Sequence, residues 1–167
     1  AFLWAVCNGY VECSEILLEE GSDLNLADET GSTALMWACS KGFTAIVKML
    51  LEENVALDLK DLKGSTALMW ASATNHIDCM KLLVEAGAQL DYKDLKGSTV
   101  LTWLSSKGDE QSVSYLIEKG ADINVKDLEG NTPLMWASST SHEGIVKKLI
   151  AAGAQLDIVD KNHNTAL

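Results

Sequence analysis

The chain has 167 residues, with 24 acidic side chains against 13 basic ones for a net charge of −11. That length can bury a core without disulfide or metal staples, and 47% hydrophobic with 22% charged residues marks a folded chain rather than a disordered one. The acidic balance argues against a nucleic-acid backbone or an anionic membrane as main partner, and no apolar run approaches the roughly 20 residues of a spanning helix.

The chain opens inside an apolar segment, Ala1-Phe2-Leu3-Trp4-Ala5, which aligns with Ala34 to Ala38. The expectation is a start partway through a repeat, with targeting signals unreadable. Asp28-Glu-Thr-Gly31-Ser-Thr33-Ala-Leu35-Met-Trp37-Ala38 returns as Asp61-Leu-Lys-Gly64-Ser-Thr66-Ala-Leu68-Met-Trp70-Ala71, then from Asp94 and from Asp127, each time after 33 residues. Full repeats are therefore expected at 28–60, 61–93, 94–126 and 127–159, flanked by partial repeats 1–27 and 160–167.

Each repeat reads as one small unit. Asp61 to Ser65 carries turn chemistry, with Gly64 free to take positive φ and the recurring Asp28, Asp61, Asp94 and Asp127 placed to accept backbone N–H bonds. Thr66 can N-cap a short helix carrying Leu68, Met69 and Ala71. After a break near Asn75, Ile77, Met80, Leu83 and Val84 recur at helical spacing. Gly87 then fits a left-handed C-terminal cap, as does Asn54 one repeat earlier. Two helices of roughly 8–10 residues cannot close a core alone, so each repeat must bury its apolar stripe against its neighbours.

The unit 94–126 is the least regular. Leu104 stands where Ala38, Ala71 and Ala137 allow close helix approach, and Ser112 replaces the apolar residue found at Ile46 and Ile145. This predicts a local minimum of stability.

The pattern Asp-x-x-Gly-x-Thr-x-Leu-x-x-Ala, followed by a helix ending in motifs such as Gly120-Ala121-Asp122-Ile123-Asn124 and Gly153-Ala154-Gln155-Leu156-Asp157, resembles the ankyrin repeat over the whole chain. The resemblance implies an all-α solenoid with β-hairpin fingers at the Asp/Gly turns. Its antiparallel helix pairs would stack into an elongated, curved array whose concave face is built from fingers and first helices. The sequence departs from the family in two ways. Pro133 is the only proline after the capping threonine, and Met36, Met69, Thr102 and Met135 stand where the family carries histidine. Methionine packing is expected to replace the lost polar link.

No catalytic constellation is visible. His76, His142 and His163 have no nucleophile or orienting acid at triad spacing, and His76 and His142 match the family's structural histidine at the start of the second helix. Lys63-Gly64-Ser65-Thr66 lacks the upstream glycine and residue order of a phosphate loop. Cys7, Cys13, Cys39 and Cys79 show no metal-ligand spacing and read as reduced thiols of an intracellular, most simply cytoplasmic, protein. Neither a cofactor nor a metal is expected, and the chain reads as a non-enzyme.

Function is then expected on the surface. Leu62, Leu95 and Leu128 share one turn position, beside Lys63, Lys96 and Glu129. They either pack on the next finger or offer an apolar stripe to a partner. All five tryptophans, Trp4, Trp37, Trp70, Trp103 and Trp136, share one position in the first helix. They either fill space between helices, with the indole N–H on a nearby carbonyl, or face the groove as aromatic slots. The expectation is both, with packing the larger share.

The leading reading is a protein-interaction module that docks a peptide or protein of basic character on the concave face. An alternative is a structural or regulatory array within a longer scaffold, channel, enzyme or effector, contacting other domains of the same chain. A further alternative is a methyl-lysine reader, because the aromatic cages of certain methyltransferase ankyrin domains place tryptophans at the positions of Trp37 and Trp70. Ser32, Ser65, Ser40 and Ala73 stand where those cages need a second tryptophan and an acid.

Overall fold

The computed structural model describes residues 1–166; Leu167, the last residue of the partial repeat expected at 160–167, lies outside them. Among the described residues, ten helices follow one another in pairs. They are α1 (Phe2–Cys7), α2 (Val11–Glu19), α3 (Ala34–Lys41), α4 (Thr44–Glu52), α5 (Ala67–Ala73), α6 (Ile77–Glu85), α7 (Val100–Lys107), α8 (Glu110–Glu118), α9 (Pro133–Ser139) and α10 (Glu143–Ala151). None is long and apolar enough to cross a membrane.

The first helices α3, α5, α7 and α9 start where the threonine hydroxyl accepts a backbone N–H three residues on: Thr33 from Met36, Thr66 from Met69, Thr99 from Thr102 and Thr132 from Met135. The missing family histidine is replaced within this cap. The Met36 sulfur accepts the Thr33 N–H at 3.5 Å and the Met135 sulfur the Thr132 N–H at 3.4 Å. In the irregular unit, the Thr99 and Thr102 hydroxyls share a hydrogen bond at 3.1 Å. A thioether thus occupies the reciprocal place usually taken by Glu or Gln. The break between helices falls on left-handed residues, Asn75 and Ser141 among them. Gly87 and Asn54 have positive φ at the ends of the second helices, as expected.

The expected fingers are tight turns rather than strand-bearing hairpins. The Gly31 N–H donates to the Asp28 carbonyl and the Asp28 N–H to the Ser32 carbonyl, and the same pair of bonds recurs from Asp61, Asp94, Asp127 and Asp160. The chain then enters the next helix at once, leaving no length for a ladder. One isolated antiparallel bridge, Ala27 with Thr33, is present among the described residues.

The chain divides into two compact units, Ala1–Gln89 and Leu90–Leu167. In the first, α3 packs on α1 and α5, and α4 on α2 and α6. Its fully buried large side chains include Leu35, Met36, Ile46, Leu50, Leu68, Met80 and Leu83. In the second, α7 packs on α9 and α8 on α10, over Leu101, Leu104, Leu116, Leu134 and Ile145. Each such side chain contributes about 1.5–3 kcal/mol on burial, which is why isolated helices this short become stable only in a stack.

Polar clamps tie neighbouring repeats within each unit. The side-chain oxygens of Asn25 and Asp58 accept the N–H groups of Ala56 and Gln89, and those of Asp91 and Asn124 accept Asp122 and Gln155. The turns are also linked by backbone. Leu62 N–H donates to the Thr30 carbonyl at 3.0 Å in the first unit, and Leu128 N–H to the Lys96 carbonyl at 2.9 Å in the second. Gly31 permits this approach, because a Cβ there would come within 3.0 Å of the Leu62 nitrogen.

Candidate functional site

The turns and first helices are held together by one recurring bond. The indole N–H of Trp37 donates to Asp28 at 2.9 Å, Trp70 to Asp61 at 3.0 Å, Trp103 to Asp94 at 3.2 Å and Trp136 to Asp127 at 2.9 Å. The acceptor is thus a carboxylate oxygen nine residues upstream, not the carbonyl expected from sequence. The other carboxylate oxygen of each aspartate accepts two backbone N–H groups of its own turn, for example Lys63 and Ser65 on Asp61. Each aspartate is therefore saturated from two sides and joins turn to helix.

The electrostatics follow from that saturation. Burial would raise the Asp28 carboxyl, but bonds from the Thr30 hydroxyl, the Trp37 indole and the backbone of Ser32 and Thr30 outweigh it and hold the group at about 2. A carboxylate so held is a structural anion and a poor general base.

The rings themselves are half-buried at Trp37, Trp70 and Trp136, and Trp103 is 37% exposed. In the first unit the Trp37 and Trp70 rings meet at 5.5 Å between centroids, tilted by 59°. Trp4 lies against Tyr10, with centroids 5.6 Å apart. The tryptophans accordingly divide their surface between packing and solvent.

The turn-tip leucines do not pack away. Leu62, Leu95 and Leu128 are 71%, 69% and 59% exposed, and the bonds that join Leu62 and Leu128 to the preceding turn are made by their backbone N–H groups. Lys63 and Lys96 stand exposed beside Leu62 and Leu95, while Glu129 beside Leu128 pairs with Lys161 at 3.5 Å.

The histidines at the starts of the second helices pack against the preceding repeat. The His76 ring lies against Gly42, and His142 lies against Gly108 with its Nε2 3.1 Å from the Ser106 carbonyl. The four cysteines are free thiols, and burial raises the thiol of Cys39 well above its ordinary value, with Cys79 reinforcing the shift.

Sequence reasoning did not anticipate the clamps at Asn25, Asp58, Asp91 and Asn124, although their 33-residue recurrence was visible. The same holds for the Asp–Trp pairs, which co-occur nine residues apart in every full repeat.

Comparison of the chain with curated proteins finds no significant match. The family model described as ankyrin repeats (3 copies) matches residues 2–94 and again residues 90–162. With its 33-residue period and paired helices joined by Asp/Gly turns, the chain belongs to the ankyrin-repeat family.

Proposed function

We propose that the chain is a non-enzymatic interaction module that docks a protein or peptide along the face built from its turns and first helices, the concave face of its family. Ankyrin repeats are generally protein–protein interaction modules. The observation that carries the proposal is the exposure of the leucines at one turn position, Leu62, Leu95 and Leu128, each standing mostly in solvent. The half-exposed rings of Trp37, Trp70, Trp103 and Trp136 add large contact area at low entropic cost, and Lys63 and Lys96 add charge at the edge.

Charge supports a partner with a basic segment facing the first unit. Residues 1–89 hold 13 acidic and 5 basic side chains, a formal −8, whereas residues 90–167 hold 11 and 8, a formal −3. Binding should weaken as salt rises past physiological strength, where the screening length falls below about 8 Å. The methyl-lysine reading has less behind it, since Ser40 and Ala73 stand where such a cage beside Trp37 or Trp70 needs an acid. Buried thiols at Cys39 and Cys79 suit a reducing, intracellular setting.

The test uses a peptide selected from a random display library on the intact chain. Leu95→Ser should weaken that peptide at least tenfold, and Ile150→Ser, an exposed apolar control on α10, should leave it unchanged. The opposite ranking would place binding on the second helices and overturn the proposal.

A further inference from the structure

Between α7 and α9 the indoles of Trp103 and Trp136 wall a cavity of about 190 Å³, completed by Lys96, Ser98, Thr102 and Ser106. A dry cavity of about 150 Å³ accepts benzene, so this space has the size of one aromatic side chain. The two indoles offer it their ring faces only, because both N–H groups are already bonded, to Asp94 and to Asp127. Two of the hydroxyls at its edge are also engaged. Ser106 donates to the Trp103 carbonyl at 2.9 Å, and Thr102 shares its bond with Thr99.

The charge lining the cavity is positive. Lys96 lines it, and the Lys107 ammonium stands 6.0 Å from the centroid of the Trp103 ring. The two aspartates behind the indoles do not line it. Besides the indoles, Asp94 binds the backbone N–H groups of Lys96 and Ser98, and Asp127 those of Glu129 and Asn131. A quaternary ammonium entering here would meet Lys96 and no lining carboxylate, whereas a carboxylate at the mouth would pair with Lys96.

We propose that this cleft is a docking subsite for an aromatic side chain carried beside a carboxylate, the ring seated between Trp103 and Trp136 and the carboxylate at Lys96. The subsite rests on the interaction reading above and names the chemistry one part of that face selects. Stacking against two indoles supplies affinity, and the lysine supplies selectivity.

The experiment follows the indole N–H signals of the full chain during titration with three probes: N-acetylphenylalaninate, N-acetylphenylalaninamide and N-acetyl-trimethyllysinamide. The carboxylate probe should move the Trp103 and Trp136 signals ahead of the other three indoles. The neutral amide should bind about two- to fivefold more weakly, the range expected of one exposed charge pair. Lys96→Ala, a change at an exposed side chain, should erase that ratio. Unmoved Trp103 and Trp136 signals, a ratio that survives Lys96→Ala, or tighter binding of trimethyllysine would each overturn the subsite. The broader reading fails separately: the library-selected peptide losing affinity with Leu95→Ser keeps it standing even when these probes do not bind.

Discussion

Trp37 and Asp28, nine residues apart, are joined by an indole N–H to carboxylate bond of 2.9 Å that fixes the turn to the helix following it. The bond also sets how that carboxyl titrates. Its folded value of about 2 lies below the ordinary 3.8, so its contribution is present above pH 4 and lost as pH falls from about 4 towards 2. Solvent screening at this partly exposed group limits the contribution to about 1 kcal/mol. Trp37→Phe should raise the Asp28 carboxyl and flatten the stability profile across that acid window. Carbon-detected titration of Asp28 together with acid unfolding of both proteins measures it, and an unchanged Asp28 titration would show the indole to be irrelevant.

The repeat clamps give a second prediction. Asn124 accepts the Gln155 N–H at 2.9 Å, one repeat on. Asn124→Ala removes one partner of an exposed bond and should cost about 0.5–1.5 kcal/mol in urea unfolding. Asn124→Asp, which keeps the accepting oxygen, should recover most of that loss.

Gly108 provides a sharper case. It ends α7 with φ 84°, and a Cβ there would fall 2.5 Å from the His142 ring. Gly108→Ala adds the left-handed cost of about 1–2 kcal/mol to the displacement of His142 from the Ser106 carbonyl, for roughly 2–3 kcal/mol in all. Adding His142→Ala should return part of the loss, the coupling expected of residues in contact.

Much of the local structure was legible because its causes are local. A threonine before an apolar run caps a helix wherever it occurs, and Asp61 orders its own turn through bonds to Lys63 and Ser65. The fate of Trp70 was not, because the partner of its N–H depends on how the turn folds back over the helix. Exposure of Leu62 was likewise open, since its bond to the preceding turn is made by the backbone N–H, which the identity of the residue does not reveal. Substitution of Met36 for histidine looked like a lost polar link, yet its sulfur accepts the same cap N–H that a longer polar side chain would.

The irregular unit 94–126 carries a specific defect. Leu104 is accommodated, at 2% exposure, while the neighbouring Ser105 hydroxyl is buried without a hydrogen-bond partner among the described residues. Ser105→Ala should therefore stabilise the chain by about 1 kcal/mol. Amide exchange should show α7 and α8 less protected than α9 and α10, and equal protection would remove the expected stability minimum.

The central claim is that the tryptophans and turn tips form a binding face and do more than pack. Affinity for the library-selected peptide and unfolding free energy, measured together on Trp70→Ala, test it most directly. The account predicts a chain that still folds and has lost at least about 2 kcal/mol of peptide affinity, the size of a hot spot. A loss of about 3–5 kcal/mol in stability, as for a core aromatic, with peptide affinity of the folded fraction unchanged, would contradict it.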